Sequence, residues 1–226
     1  MISIENLSKS FTGKNVLNQI NLTFEPGKVY GIVGENGAGK TTLFRCIAGL
    51  EDFEGEIKSD SELLKNVTGF LTTEPYFFSK MTGAEYLQLL CNARNIQLTN
   101  LKDKNVFDLP LNQYAETYST GMKKKLAITG ILLQQNELFI LDEPYNGVDI
   151  NSNILITQII KKLKSLGKIV VIASHIFSTL TESCDAIHLL KEGKIIMGGD
   201  HTQFDAIENI MIGTQVNAKI DQLGLV

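Results

Sequence analysis

A chain of 226 residues, 43% hydrophobic and 20% charged, has the length of one large domain or two small ones and the balance of an ordinary globular protein. Its net charge of -4 speaks against a generally basic nucleic-acid binder. Its longest unbroken apolar run, Ile169 to Ala173, falls far short of the roughly 20 residues a membrane span needs.

The N-terminal Met1-Ile2-Ser3-Ile4-Glu5 has neither the basic start nor the apolar core of a secretion signal. Ile2, Ile4 and Leu7 alternate, and Val16, Leu17, Ile20, Leu22 and Phe24 suggest one or two more strands, closed by a turn at Pro26-Gly27. Phe11 stands before Thr12-Gly13, either as a core aromatic or as a ring free to stack on a ligand. An apolar run, Val29 to Val33, then leads into Gly34-Glu35-Asn36-Gly37-Ala38-Gly39-Lys40-Thr41-Thr42, and the helix-like Leu43 to Ala48 follows. Strand, G-x-x-x-x-G-K-T loop and helix in that order read as a P-loop. Its glycines let successive backbone N–H groups face a phosphate chain, the helix N-terminus adds partial positive charge, Lys40 brings a full charge, and the Thr41 hydroxyl suits Mg2+. Nucleotide binding follows from these residues alone.

Gly49 to Ile57 reads as a turn and short strand, and Val67 to Thr73 as a buried strand stopped by Pro75. Tyr76-Phe77-Phe78 is either a docking patch or core packing. Thr82 with Glu85 has the form of a capping box, and Tyr86, Leu87, Leu90 and Cys91 then share a helical face. Residues 96–112 are polar and irregular. A helix starts near Ser119, carrying Met122, Leu126, Thr129 and Leu133 at helical spacing, and Lys123-Lys124-Lys125 reads as its solvated face. Leu138 to Leu141 is an apolar strand ending in Asp142 and Glu143, a place for carboxylates that suits Mg2+ binding and water activation in a P-loop protein. Residues 151–166 form an amphipathic helix with Gly167 beyond its end, and Lys168 to Ala173 has the β-branched character of a strand covered on both faces. His175, at that strand's exit, is either structural or a ligand-contacting group. Residues 176–183 read as helical, 186–190 and 194–197 as a hairpin around Glu192-Gly193, and the last thirty residues are weakly patterned. Cys46, Cys91 and Cys184, far apart and in apolar settings, read as buried free thiols.

The order of these motifs over about residues 2–205 resembles the ATP-binding subunit of an ABC transporter. The resemblance implies an α/β, P-loop NTPase fold: a RecA-like core, an antiparallel β lobe and a small helical subdomain. It implies one ABC-type ATPase domain over 1–226, with the lobe at about 1–30 plus part of 50–65, the helical subdomain at about 75–134, and a C-terminal tail at about 206–226. Gly34, Glu35, Asn36, Gly37, Ala38, Gly39, Lys40, Thr41 and Thr42 then match the family's Walker A loop, and Ser119 to Met122 its signature, with Ser119 and Gly121 at the positions that hold the γ-phosphate. Asp142 and Glu143 match the Walker B aspartate and the catalytic glutamate, Asn146 to Asp149 the D-loop, His175 the switch histidine, and Phe11 the ring that stacks on adenine. The implied cofactors are ATP and Mg2+, the metal held by Thr41 and Asp142. The implied partners are a transmembrane permease on a separate chain and a second ATPase protomer packed head to tail, at the cytoplasmic face of the membrane, with no nucleic acid.

Two positions depart from the family pattern. The signature reads Tyr-Ser-Thr-Gly-Met instead of Leu-Ser-Gly-Gly-Gln, a form similar to the ATPases of ABC-2-type exporters. Thr73 stands where the family has glutamine or glutamate, and a glutamate comes one residue later, at Glu74, so either residue is a candidate for that contact. The competing reading is an ABC-type ATPase acting on ribosomes or nucleic acid. It is disfavoured by a single Walker A loop and by the short interval from Lys40 to Ser119, too short for an inserted coiled coil. A GTPase is disfavoured by the lack of an Asn-Lys-x-Asp motif.

Overall fold

The computed structural model describes residues 1–60 and 64–212. In chain order the first half contains β1 (Ile2–Phe11), β2 (Lys14–Phe24), β3 (Val29–Val33), α1 (Lys40–Ile47), β4 (Glu54–Ser59), β5 (Thr68–Leu71) and α2 (Gly83–Asn92). The second half contains α3 (Thr120–Leu133), β6 (Leu138–Asp142), α4 (Ile150–Ser165), β7 (Ile169–Ser174), α5 (Phe177–Thr181), β8 (Ala186–Lys191), β9 (Lys194–Asp200) and α6 (Phe204–Ile212).

Two sheets organise the chain. The smaller is antiparallel, in the order β2-β1-β4. Its long strands are bulged, which explains an irregular hydrophobic pattern. Ile4 to Leu7 and Leu17 to Ile20 are steps of three, not two, because the register slips there and Asn6 and Gln19 turn to φ 53° and 52°. The bulge keeps all four side chains buried in one layer and makes Lys14–Phe24 one strand. The larger sheet has the order β5-β6-β7-β3-β8-β9, parallel from β5 to β8. β9 closes it antiparallel through the two-residue turn Glu192-Gly193, both at positive φ, as a tight hairpin requires.

Strand periodicity sends alternate residues to opposite faces. Leu138, Ile140, Ile169, Val171, Tyr30 and Ile32 pack against the small sheet and α1. Phe139, Leu141, Val170, Ile172, Val29 and Val33 pack against α3, α4 and α5. Both faces are covered, which is why these strands read as continuous apolar runs. The helical region begins with a capping box, the Thr82 hydroxyl accepting from the Glu85 N–H at 3.2 Å and the Glu85 carboxylate from the Thr82 N–H at 2.8 Å. α2 and α3 touch closely where α3 has Gly130, since a Cβ there would stand 2.4 Å from Leu90 Cδ1.

Several expectations are corrected. Lys123-Lys124-Lys125 is not a solvated face: Lys124 is 1% exposed, and its two neighbours are only partly so. The reason is geometric, since Lys124 shares its helical stripe with the buried Ile128 and Ile131. Tyr76-Phe77-Phe78 divides between its two readings. Phe77 packs on Tyr86 with ring centroids 4.6 Å apart, while Tyr76 and Phe78 are exposed and touch edge to face. Phe11 is not a core aromatic; it is exposed at the end of β1 with Lys9 Nζ 4.7 Å from its ring centre. The strand expected through Thr73 ends at Leu71, and the helix expected over 176–183 spans only Phe177–Thr181. α6 emerges from a stretch with little pattern, and residues 213–226 of the tail lie outside the described residues. All three cysteines are buried and unpaired. Among the described residues no helix is long and apolar enough to cross a membrane.

Candidate functional site

The larger sheet places the carboxyl ends of β3, β6 and β7 side by side, where α/β folds bind ligands. From β3 the chain enters the glycine loop and then α1. Two glycines are obligatory there. Gly34 passes so close to β8 that a Cβ would lie 2.2 Å from the Leu190 carbonyl oxygen. Gly39 caps α1 at φ 110°, in the left-handed region, with Leu17 Cδ2 2.9 Å from where a Cβ would be. Lys40 is 7% exposed and folds back on its own loop, its Nζ donating to the carbonyls of Gly34 at 2.7 Å and Glu35 at 3.1 Å. Burial pushes its pKa below the ordinary lysine value, while the charges of Glu143 and Asp142 oppose that shift.

Asp142 ends β6 and is 1% exposed. One of its oxygens, Oδ2, accepts from two hydroxyls, Thr41 at 2.6 Å and Thr73 at 2.8 Å. Glu74 is exposed and makes no such bond; its carbonyl accepts from Thr72 at 3.1 Å. Glu143 turns out of the strand at φ 53° and points its carboxylate at His175, whose Nδ1 lies 2.9 Å and backbone N–H 3.0 Å from the same oxygen. Glu143 is 12% and His175 47% exposed at the side chain, so the pair sits at the rim of the site. An open cavity of about 360 Å3 lies here, bounded by Val16, Gly37, Lys40, Thr41, Thr73, Asp142 and Glu143. Gly39, Asn36 and Thr42 complete that wall. Glu35 and Ala38 instead border a second hollow of about 260 Å3 toward α6.

Not every expected site residue meets this cavity. Ser119 caps α3, its hydroxyl accepting from the Met122 N–H at 3.3 Å, and is exposed. Gly121 packs on the turn after β6, where a Cβ would stand 2.5 Å from the Gly147 carbonyl oxygen. Neither lines the cavity, and Phe11 does not either. The chain brings together the loop, Thr41, Thr73, Asp142, Glu143 and His175, and leaves Ser119 exposed and Gly121 against Gly147, both outside the cavity lining. Sequence reasoning missed Lys124, whose Nζ donates to the Glu143 carbonyl at 2.6 Å from inside the fold. Its four-residue spacing from Ile128 was the available signal.

The arrangement suits an oxygen-liganded cation. Mg2+ is usually held by one or two carboxylates together with substrate phosphates, not by an all-protein cage. Asp142 with two hydroxyls fits that pattern, and among the described residues no cluster of three His, Cys, Asp or Glu side chains offers an alternative.

Comparison with known proteins gives a consistent result. The family model described as "ABC transporter" matches residues 17–146. The chain is 32% identical over 224 residues to the lantibiotic transport ATP-binding protein SrtF of Streptococcus pyogenes, covering 93% of this chain and 94% of that one. It is 32% identical over 209 residues to the bacitracin transport ATP-binding protein BcrA of Enterococcus faecalis, covering 87% and 68%. A dimeric post-hydrolysis structure of the ATP-binding cassette MJ0796, bound to ADP and Pi, superposes with a TM-score of 0.79 at 22% identity, covering 88% of this chain and 98% of that one.

Proposed function

The chain belongs to the ABC transporter family as an ATP-binding protein, and from that premise we propose that it binds and hydrolyses ATP to energise an exporter whose membrane-spanning part is a separate polypeptide. The observation that carries this reading is the convergence at the end of β6. Thr41 and Thr73 meet on Asp142, and Glu143 meets His175, beside a cavity floored by the glycine loop. Relatives named as lantibiotic and bacitracin transport ATP-binding proteins support a role in transport. We read residues 1–226 as one ATPase domain: the small sheet as the β lobe, the region of α2 and α3 as the helical subdomain, and the larger sheet as the catalytic core.

In this reading the phosphates lie along Gly37 to Thr42. Lys40 exchanges the Gly34 and Glu35 carbonyls for phosphate oxygens, which returns a buried cation to anionic partners. Thr41, Thr73 and Asp142 would hold Mg2+, which would supply positive charge beside the outer phosphates. Glu143 orients the attacking water and accepts its proton, and His175 fixes that carboxylate while facing the γ-phosphate. Most of the catalysis is therefore positioning and charge neutralisation. One chain is incomplete, because Ser119 and Gly121 stand away from the cavity. We infer a head-to-tail, C2-related pair of protomers in which Ser119 of the partner subunit closes each site; the similarly folded MJ0796 cassette is itself dimeric. We assign the exposed Phe11, at the end of β1, to stacking on adenine. The assembly then sits at the cytoplasmic face of the membrane.

Lys40→Ala tests the site. It should lower ATP turnover by about a hundredfold or more, the scale of removing one charge-stabilising contact, and near-normal turnover would end the assignment. Affinity capture from solubilised membranes tests the partner. An integral membrane protein supports the transporter reading, and ribosomes or DNA would support the alternative.

A further inference from the structure

The strongest feature outside the assigned roles is a lysine inside the fold. Lys124 lies in the second turn of α3, is 1% exposed, and makes no ion pair among the described residues. Burying a lysine amine is costly unless it meets good partners. Burial pushes its pKa below the ordinary value, with the charges of Glu143, Asp142 and Glu74 opposing the shift. A methionine or leucine would pack that stripe without such a cost, as Ile128 and Ile131 do. What the lysine supplies is a donor, placed 2.6 Å from the carbonyl oxygen of Glu143.

We propose that Lys124 is a positioning residue that locks the Glu143 peptide, and so aims its carboxylate for hydrolysis, by tying α3 to the end of β6. This rests on the ATPase reading above. Glu143 needs holding because φ 53° is an uncommon conformation for a residue with a side chain. Its N–H donates to the Ala173 carbonyl at 3.0 Å, which anchors one side to β7. Its carbonyl, on the other side, has Lys124 at 2.6 Å and only a longer bond from the Asn146 N–H at 3.3 Å. The carboxylate is then free to meet His175 at 2.9 Å. Losing Lys124 lets the peptide rotate toward an unstrained conformation and swings the carboxylate away from His175. The neighbouring lysine has a separate task, because Lys125 reaches Asp149 at 3.2 Å and the Ser152 hydroxyl at 3.3 Å. Lys124 is thus a link within one protomer between the helix that begins at Ser119 and the residue that activates water.

The test is a double-mutant cycle. Lys124→Met keeps the length and apolar stem and removes the donor. Turnover at saturating ATP should fall about tenfold or more, while affinity for a fluorescent ATP analogue stays within roughly threefold. In the Glu143→Gln background, where the group being aimed is already disabled, the same substitution should change the residual single-turnover rate by less than about twofold. Turnover of Lys124→Met within roughly threefold of the wild type overturns the proposal. So does a loss of equal size in both backgrounds, which marks mere structural damage. Should Lys124→Met fail to fold, Lys124→Leu is carried through the same cycle under the same two criteria. If the unaltered chain hydrolyses no ATP, the proposed function falls and this inference with it. If it hydrolyses ATP and Lys124→Met does too, only the positioning role falls.

Discussion

At the scale of single residues, Thr73 is the position where the sequence departs from the expected family pattern. The position is expected to carry a longer amide or carboxylate side chain, and a threonine hydroxyl has little reach. The reach is sufficient because Asp142 is close: both Thr73 and Thr41 donate to the same oxygen, at 2.8 and 2.6 Å. Glu74, the rival candidate, is exposed and does not border the cavity. Thr73→Val keeps the shape and deletes a hydrogen bond of about 0.5–1.5 kcal/mol. The Mg2+ concentration giving half-maximal binding of a fluorescent ATP analogue should rise roughly twofold to tenfold. Glu74→Gln should leave that midpoint in place. A reversed ranking would give the contact to Glu74.

At the scale of elements, α4 illustrates how a helix end and a functional turn share residues. Asp149 caps α4, its carboxylate accepting from the Ser152 N–H at 2.9 Å and the Ser152 hydroxyl at 2.7 Å, with Lys125 of α3 at 3.2 Å. The Ser152 backbone bond first, then its hydroxyl, then Lys125, hold this carboxyl well below the usual aspartate range. A depressed folded-state pKa adds stability above the unfolded value near 3.9, and that stability is lost as pH falls through the folded value. Asp149→Asn keeps a capping oxygen without the charge. Its melting temperature should lie below that of the unaltered chain at pH 7, and the gap should shrink only below about pH 4. A gap that already closes between pH 7 and pH 5 would contradict the assigned cause. The same turn carries Gly147, against which Gly121 packs, so α3 and the turn leading into α4 are braced on each other.

At the scale of the molecule, the two sheets have different tasks. The larger one lines up β3, β6 and β7, bringing Lys40, Asp142 and His175 to one edge. The smaller one covers its other face and offers Phe11 at a rim. The cavity is open, Ser119 of the same chain stands away from it, and the proposed dimer closes it. Glu143→Gln should bind ATP with affinity near that of the unaltered chain and accumulate as a dimer, seen as a doubling of mass in sedimentation with ATP and Mg2+. A variant that stays monomeric at saturating ATP would remove the sandwich from the mechanism, because nothing else would hold Ser119 of the partner subunit over the phosphates.

Wherever chemistry is local, the sequence was sufficient. A glycine loop between a strand and a helix can do little besides hold phosphate, so Gly34 to Thr42 was legible from order and spacing. Asp142 and Glu143 followed as acids leaving a buried strand, Thr82 as a helix cap, since a cap lies within three residues of what it satisfies, and Ser119 as the neighbourhood of a helix start. The fold class was legible for a related reason: strands covered on both faces must be apolar throughout, as Leu138 to Leu141 and Ile169 to Ala173 are. What distance in the chain separates, only the tertiary structure decided. The alternation in β1 was blurred by the bulge at Asn6, whose register is set by β2 across the sheet. His175 and the choice between Thr73 and Glu74 each had two readings, because their partners are distant in the chain: Glu143 is 32 residues from His175 and Asp142 is 69 from Thr73; the exposure of Phe11 likewise depends on how the strands pack. Lys124 was the largest miss. A lysine's charge argues for water, and only the fold shows that its amine is buried with the Glu143 carbonyl 2.6 Å away as its acceptor.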